Sequence, residues 1–278
     1  SGYGVREISL EHPVAEDINI IVLADMRSDF TEEEFRNFDA YLERGGNLFI
    51  LGEPKRQQFM NPVIERLGLR FADGIIVSPS EVNLDDLVAA NIKEGAAKVS
   101  ENYIRYFRSG YSIMTPSACA VEVIDSTKGF EITEVLASAG KGSWVEKETT
   151  DFINEKSVLN PAVGEVEKSN SIMLYLTRPV NNKEQRIFVI GDADCISNSE
   201  LMMYRKGIKA SNFSLITESF RWLTDGEFPV NTRRPDSADT SISLELSSMK
   251  WVKVMFVGIL PLLLIGCGIL IWHRRRGR

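Results

Sequence analysis

The sequence predicts an α/β domain, with a mostly parallel sheet and flanking helices, followed by one C-terminal transmembrane helix. Three observations predict it. Continuous apolar runs such as INIIVLAD (18–25) and RIFVIGDAD (186–194) read as strands buried on both faces, which a parallel sheet requires. Capped helical patterns alternate with those runs, as in βαβ units. Near the C-terminus, residues 254–272 read VMFVGILPLLLIGCGILIW, nineteen residues without a charge. At 1.5 Å per residue that stretch is roughly 28 Å long, close to the hydrocarbon thickness of a bilayer.

The elements follow in order. After the first strand, TEEEFRNFDAYLERGG opens with a capping box, Thr31 with Glu34. It repeats Phe35, Phe38 and Leu42 at helical spacing and stops at Gly45-Gly46. NLFILGEP (47–54) is the second buried strand, and RQQFMNPVIERLGL a second helix interrupted at Pro62. GIIVSP (74–79) is a short strand. Residues 83–100 are expected to be helical in part, against the grain of Asn91 and Gly95. Residues 111–124 and 130–137 are expected to be strands, and 139–170 a polar loop. SIMLYLTR (171–178) and RIFVIGDAD complete the strands. NFSLITESFRWLTDG (212–226) is a helix capped by Ser211 or Asn212, with Phe220 and Trp222 in packing roles. Residues 1–228 form the domain, 229–249 the linker, 250–273 the membrane helix and 274–278 a basic tail.

Charge is unevenly spread. Six of the 32 basic residues and none of the 39 acidic ones lie beyond Met249, so residues 1–249 carry about −13. A body this acidic is a poor candidate for lying flat on anionic lipid, and it excludes nucleic acid as a main partner. At the membrane helix, opening at Val254 and closing at Trp272, Lys253 and Trp251 flank one end. Trp272, His273 and four arginines mark the other. Pro261 is tolerated within a bilayer. The positive-inside bias places the tail in the cytoplasm and the acidic body in the periplasm or outside the cell. Ser1-Gly2-Tyr3 is no signal peptide, so either a signal has been removed or membrane spans lie upstream in a longer protein.

Four stretches carry a family resemblance: DINIIVLADMRSDFTEEEFRNFDAYLERGGNLFILGEP, VLASAGKGSWVE, RIFVIGDADCISNSEL, and NFSLITESFRWL with its linker and membrane helix. In this order they resemble the gliding-motility-associated ABC transporter auxiliary component family, an ABC-type uncharacterised transport system. The resemblance spans most of residues 15–278. It implies a flavodoxin-like or class I glutamine amidotransferase-like fold. It also implies partnership with an ABC-2 type permease and its ATPase, with members often bearing upstream spans.

Chemistry has few carriers. The alternative to a non-catalytic subunit is a Cys-dependent amidohydrolase on the same fold, which needs an activated thiol and a histidine. Cys119 in TPSACAVEV and Cys195 in GDADCIS are read as buried structural cysteines, and His12 is the one histidine before the membrane helix. No CxxC or Cys/His cluster suggests a metal, and GKGS (140–143) lacks P-loop spacing, so no cofactor is expected. Asp192 and Asp194, with Glu53 and Asp25, all end strands, where ligands sit in open α/β sheets. A divalent cation there competes with the favoured reading, in which Gly191-Asp192 makes a turn and Asp194 caps the next helix. Ser143 and Trp144 are the remaining candidates. Trp144 could be a stacking platform or interface anchor, or could close the core beneath a loop.

Overall fold

The computed structural model describes residues 4–229 and 246–277. The chain divides into two units, Ser1–Val230 and Asn231–Arg278.

In the first unit the early elements form as the sequence predicts. β1 (Ile20–Ala24), an edge strand with Val22 48% exposed and not the strand buried on both faces that its apolar run suggests, leads to α1 (Glu32–Glu43), where both halves of the Thr31/Glu34 capping box are present. Gly45, at φ 88°, ends the helix. β2 (Asn47–Leu51) lies parallel to β1, and α2 (Gln57–Ile64) carries Pro62 in its interior. Short strands follow, β3 (Leu69–Phe71) and β4 (Ile75–Val77).

The middle of the chain departs from expectation. The segment expected to be helical in part opens as β5 (Leu87–Ile92), in which alternate residues Val88, Ala90 and Ile92 are buried, and turns helical only at Glu94–Lys98, a short 3-10 helix. The helix comes later, as α3 (Glu101–Arg108). The single strand expected over 111–124 is broken into β6 (Ile113–Pro116) and β7 (Val121–Val123). Pro116 withholds a donor there, and Ser117 takes φ 58°. After β8 (Glu131–Ala137), β9 (Trp144–Glu146) emerges within the polar loop. β10 (Ser171–Val180), β11 (Lys183–Ile190), α4 (Asn198–Leu201) and α5 (Asn212–Leu223) complete the unit.

The main sheet has seven strands in the order β1-β2-β11-β10-β8-β5-β6. It is mixed, not mostly parallel, and so lacks the all-parallel order of a flavodoxin-like sheet. β1, β2 and β11 run parallel; every other neighbouring pair is antiparallel. The cause is local. Asn181 and Asn182 both take positive φ, 49° and 63°, the backbone of a two-residue hairpin turn, which folds β11 back against β10. β4 stands outside the sheet and pairs with β9, as β3 pairs with β7.

Each face of the sheet carries its own core. Leu48 and Ile50 of β2 meet Phe38, Tyr41 and Leu42 of α1 and Met60, Val63 and Ile64 of α2. Phe49 and Leu51, one residue out of phase, meet Tyr103 of α3 and Leu215 and Leu223 of α5. At roughly 1.5–3 kcal/mol per fully buried apolar side chain, these layers dominate the stability of the unit. Trp222 packs edge-on against Tyr175 and Phe188, the packing role expected of it. Ser211 holds the cap position of α5 without a side-chain cap bond. Asn212 instead accepts from the Met114 N–H (2.9 Å) and donates to the carbonyls of Met114 (2.7 Å) and Cys195 (2.8 Å).

The second unit contains α6 (Leu246–Val254), a π turn (Met255–Ile259) and α7 (Leu260–Arg276). Residues Lys250–Arg276 make a continuous helix of 27 residues, long and apolar enough to cross a membrane. The π turn sits just before Pro261, whose missing N–H leaves a carbonyl of the preceding turn without its helical partner. The linker expected over 229–249 lies mostly outside the described residues.

Candidate functional site

Three parallel strands end together and set the site. The N–H of Asp25 donates to the Leu51 carbonyl (3.2 Å) and that of Gly52 to the Ile190 carbonyl (2.7 Å), so the ends of β1, β2 and β11 are zipped past their ladders. Asp25 follows β1, Glu53 follows β2, and Asp192 and Asp194 follow β11. Four of the six candidates therefore share one carboxyl edge.

Asp25 sits at φ 43°, a left-handed conformation that Asp tolerates better than most residues. Its carboxylate accepts from Arg27 (2.9 and 2.5 Å) and Arg56 (3.1 Å). Burial acts to raise its pKa, but the hydrogen bonds and charges of the two arginines outweigh that and hold it below the usual range. Glu53 goes the other way. Burial first, then the charges of Asp194 and Asp25, push it up to about 7 against the opposing pull of the Ala193 N–H and Arg56. Its Oε2 is buried without a hydrogen-bond partner.

Asp192 is fully buried. Its Oδ1 accepts the N–H groups of Asp194 (2.8 Å) and Cys195 (3.1 Å), while Oδ2 has no partner. Burial and the neighbouring Glu53 charge raise its pKa well above the carboxylate range. The capping role expected of Asp194 thus belongs to Asp192. The next short helix, α4, is capped by Ser197, which accepts from the Glu200 N–H (3.2 Å). Gly191 is dictated by a close approach, since a Cβ there would lie 1.8 Å from the Cys119 carbonyl oxygen.

Both cysteines of the first unit are buried behind this edge. Cys119 donates its N–H (2.8 Å) and its thiol (3.2 Å) to the Gly191 carbonyl, and the Cys195 thiol donates to the Asp192 carbonyl (3.2 Å). Burial first, then the Asp192 charge, pushes both thiols up, the reverse of what a thiolate nucleophile needs. His12 is exposed in the N-terminal segment that runs beside α1, where Asn37 donates to the Leu10 carbonyl (2.7 Å). Among the described residues no three His, Cys, Asp or Glu side chains are grouped to hold a metal ion.

Ser143 and Trp144 belong elsewhere. Trp144 is 7% exposed and packs with Ile75, Val77 and Phe152 in a third apolar cluster, its Nε1 donating to Glu146 (3.2 Å). Ser143 is buried, and its hydroxyl has no partner. The residues missed by sequence reasoning are Arg27 and Arg56, which neutralise Asp25. The signal was present, since each lies two or three residues beyond an acidic strand end.

A mixed α/β domain with a charge-compensated strand edge and buried thiols, joined in one chain to an apolar helix of membrane-spanning length, defines the class. More specifically, the chain belongs to the ABC-type uncharacterized transport system family, whose model matches residues 1–219. It is also similar to the intraflagellar transport protein 52 homologs of Homo sapiens and Mus musculus. Identity is 25% with each, over 81% of this chain and over 47% and 49% of theirs. The chain spans about half the length of these curated relatives. Among solved structures, the mmIFT52 N-terminal domain matches with a TM-score of 0.52 and 17% identity, covering 75% of this chain and 78% of that one. At that identity the likeness concerns the fold alone.

Proposed function

We propose that this protein is a non-catalytic, membrane-anchored auxiliary subunit of a gliding-motility type ABC transport system. In this reading the α/β domain lies in the periplasm and recognises a cargo or partner. The C-terminal helix crosses the inner membrane beside an ABC-2 type permease, and an ATPase drives the assembly from the cytoplasm. The observation that carries the reading is the pairing of the family match over the α/β domain with an apolar helix of spanning length. Side chains along that helix, such as Leu262 and Leu264, are exposed and call for lipid or partner helices. Arg274, Arg275 and Arg276 at its end favour a cytoplasmic C-terminus. The rival Cys-dependent amidohydrolase draws no support from thiols held protonated by burial. Within the first reading, contacts at the carboxyl edge would involve Asp25, Glu53 and Asp194, and Trp144 would serve by stiffening its cluster. Affinity purification of the native protein after mild detergent extraction tests the proposal. A permease and an ATPase should co-purify, and recovery of the chain by itself would count heavily against it.

A further inference from the structure

One surface of the first unit opposes its overall charge. The loop from α4 to α5 reads MMYRKGIKAS (202–211), and it lies beside the end of α3 and the turn that follows. The Ser112 N–H donates to the Lys209 carbonyl (2.9 Å), the Ser211 N–H donates to the Ser112 carbonyl (3.0 Å), and Lys209 Nζ donates to the Ser109 carbonyl (3.3 Å). Residues 105–112 and 202–213 thus form a joined pair of segments. They hold five cations, Arg105, Arg108, Arg205, Lys206 and Lys209, and not one acidic residue, within a body that carries about −13. Arg205 is committed to Glu200. Arg108 and Lys206 are exposed and have no ion-pair partner among the described residues.

The same segments expose apolar side chains that the core does not use. Met202 is 86% exposed and Tyr204 85%, with Phe213, Phe107 and Met203 also exposed. Long apolar and aromatic side chains interleaved with lysine and arginine suit the boundary between lipid headgroups and acyl chains. An acidic protein surface would match the cations but would leave the methionines in water.

We infer that these paired loops are a docking surface for an anionic phospholipid bilayer. The inference rests on the anchor reading above. The apolar helix begins about two dozen residues after α5, so the bilayer stays within a contour of roughly 80 Å. A tether that short gives the second contact a high effective concentration. Weak contacts then suffice to hold the domain against the membrane, and losing two free cations should weaken the docked state on the order of twentyfold to thirtyfold.

The test uses the full chain with Cys267→Ser and Tyr204→Cys, labelled with bimane at position 204, the remaining thiols being buried. The chain is reconstituted into vesicles of phosphatidylcholine alone or of phosphatidylcholine and phosphatidylglycerol at 7:3, each with spin-labelled lipid. Docking predicts strong quenching in the anionic vesicles, reduced by 0.5 M salt and largely lost on adding Arg108→Glu and Lys206→Glu. Equal quenching in both lipids, or none in either, overturns it. Shielding of the label by a co-purified protein, independent of lipid, overturns it in favour of a protein partner. Flotation separates the two claims. A chain that floats with both vesicles yet stays unquenched keeps the anchor and loses the docking surface. A chain that floats only with anionic vesicles keeps the docking surface and loses the anchor.

Discussion

Replacing Glu53 with glutamine should flatten the pH dependence of stability between pH 5 and 8. In the folded chain the Glu53 carboxyl is pushed up to about 7, from an ordinary value of 4.5, by burial and by the charges of Asp194 and Asp25. Below pH 4.5 the folded and unfolded chains both hold the proton, and the contribution is fully present. Between pH 4.5 and 7 the unfolded chain releases it while the folded chain keeps it, so stability falls as pH rises and levels off above 7. At about 1.4 kcal/mol per pH unit the whole effect is at most about 3.5 kcal/mol, and partial screening at a half-buried side chain reduces it. Glutamine keeps an acceptor for the Ala193 N–H and removes the charge. Asp192 adds a slope of the same sign, so the informative quantity is the difference between the two proteins. Urea unfolding of the full chain in detergent, followed by tryptophan fluorescence, should show the variant gaining on the wild type from pH 5 to pH 8. A difference that stays constant across that range refutes the assignment of a raised Glu53.

Gly191→Ala places a methyl group 1.8 Å from the Cys119 carbonyl oxygen, against Cys119 backbone and not a side chain that could swing away. It should cost about 3 kcal/mol or more, read as a lowered Tm or loss of soluble folded protein. Trp144→Ala empties the cluster of Ile75, Val77 and Phe152 and removes the donor to Glu146, for about 3–5 kcal/mol. An unchanged urea midpoint would mean that Trp144 is held for contact with a partner instead. Leu263→Lys with Leu264→Lys puts two charges near the middle of the apolar helix, each costing about 3 kcal/mol in a bilayer. The double variant should move to the supernatant on alkaline extraction of membranes. Continued retention in the pellet would speak against a spanning helix.

The parts legible in the sequence are those whose physics is local. Thr31 and Glu34 fixed the start of α1 within four residues, and the runs that became β2 and β11 lie in the sheet interior as their apolar character demands, whereas the equally apolar β1 is the sheet edge, with Val22 48% exposed. Strand direction was not legible from such runs, because a strand with both faces buried reads the same either way. The clue that existed was Asn181-Asn182 between two strand-like stretches, a hairpin signal that argues for antiparallel pairing. β5 escaped because its buried face is Val88, Ala90 and Ile92, too small and too short a pattern to outweigh the helix-forming Leu, Ala and Lys around it. The candidate edge was legible by position, since acidic residues at strand ends converge in any open α/β sheet. Which of them would be protonated was not. Asp192 is covered by the segment bearing Cys119, about seventy residues away in the chain.

That protonation pattern bears on what the edge does. Four acidic residues at strand ends suggest a cation trap, but their charges do not add. Asp25 is compensated by Arg27 and Arg56, and Asp192 is held neutral by burial. Glu53 titrates close to neutrality. As the pH rises from 6 to 8 the Glu53 carboxyl gives up its proton and the edge becomes more negative. A surface of this kind has little power to concentrate metal ions and no poised nucleophile. Its charge would nevertheless report a partner. A cationic group placed against Glu53 would lower its pKa and release a proton, whereas an anionic one would hold the proton in place. Proton uptake or release on complex assembly, measured in two buffers of different ionisation enthalpy, would therefore report the charge of whatever meets this edge.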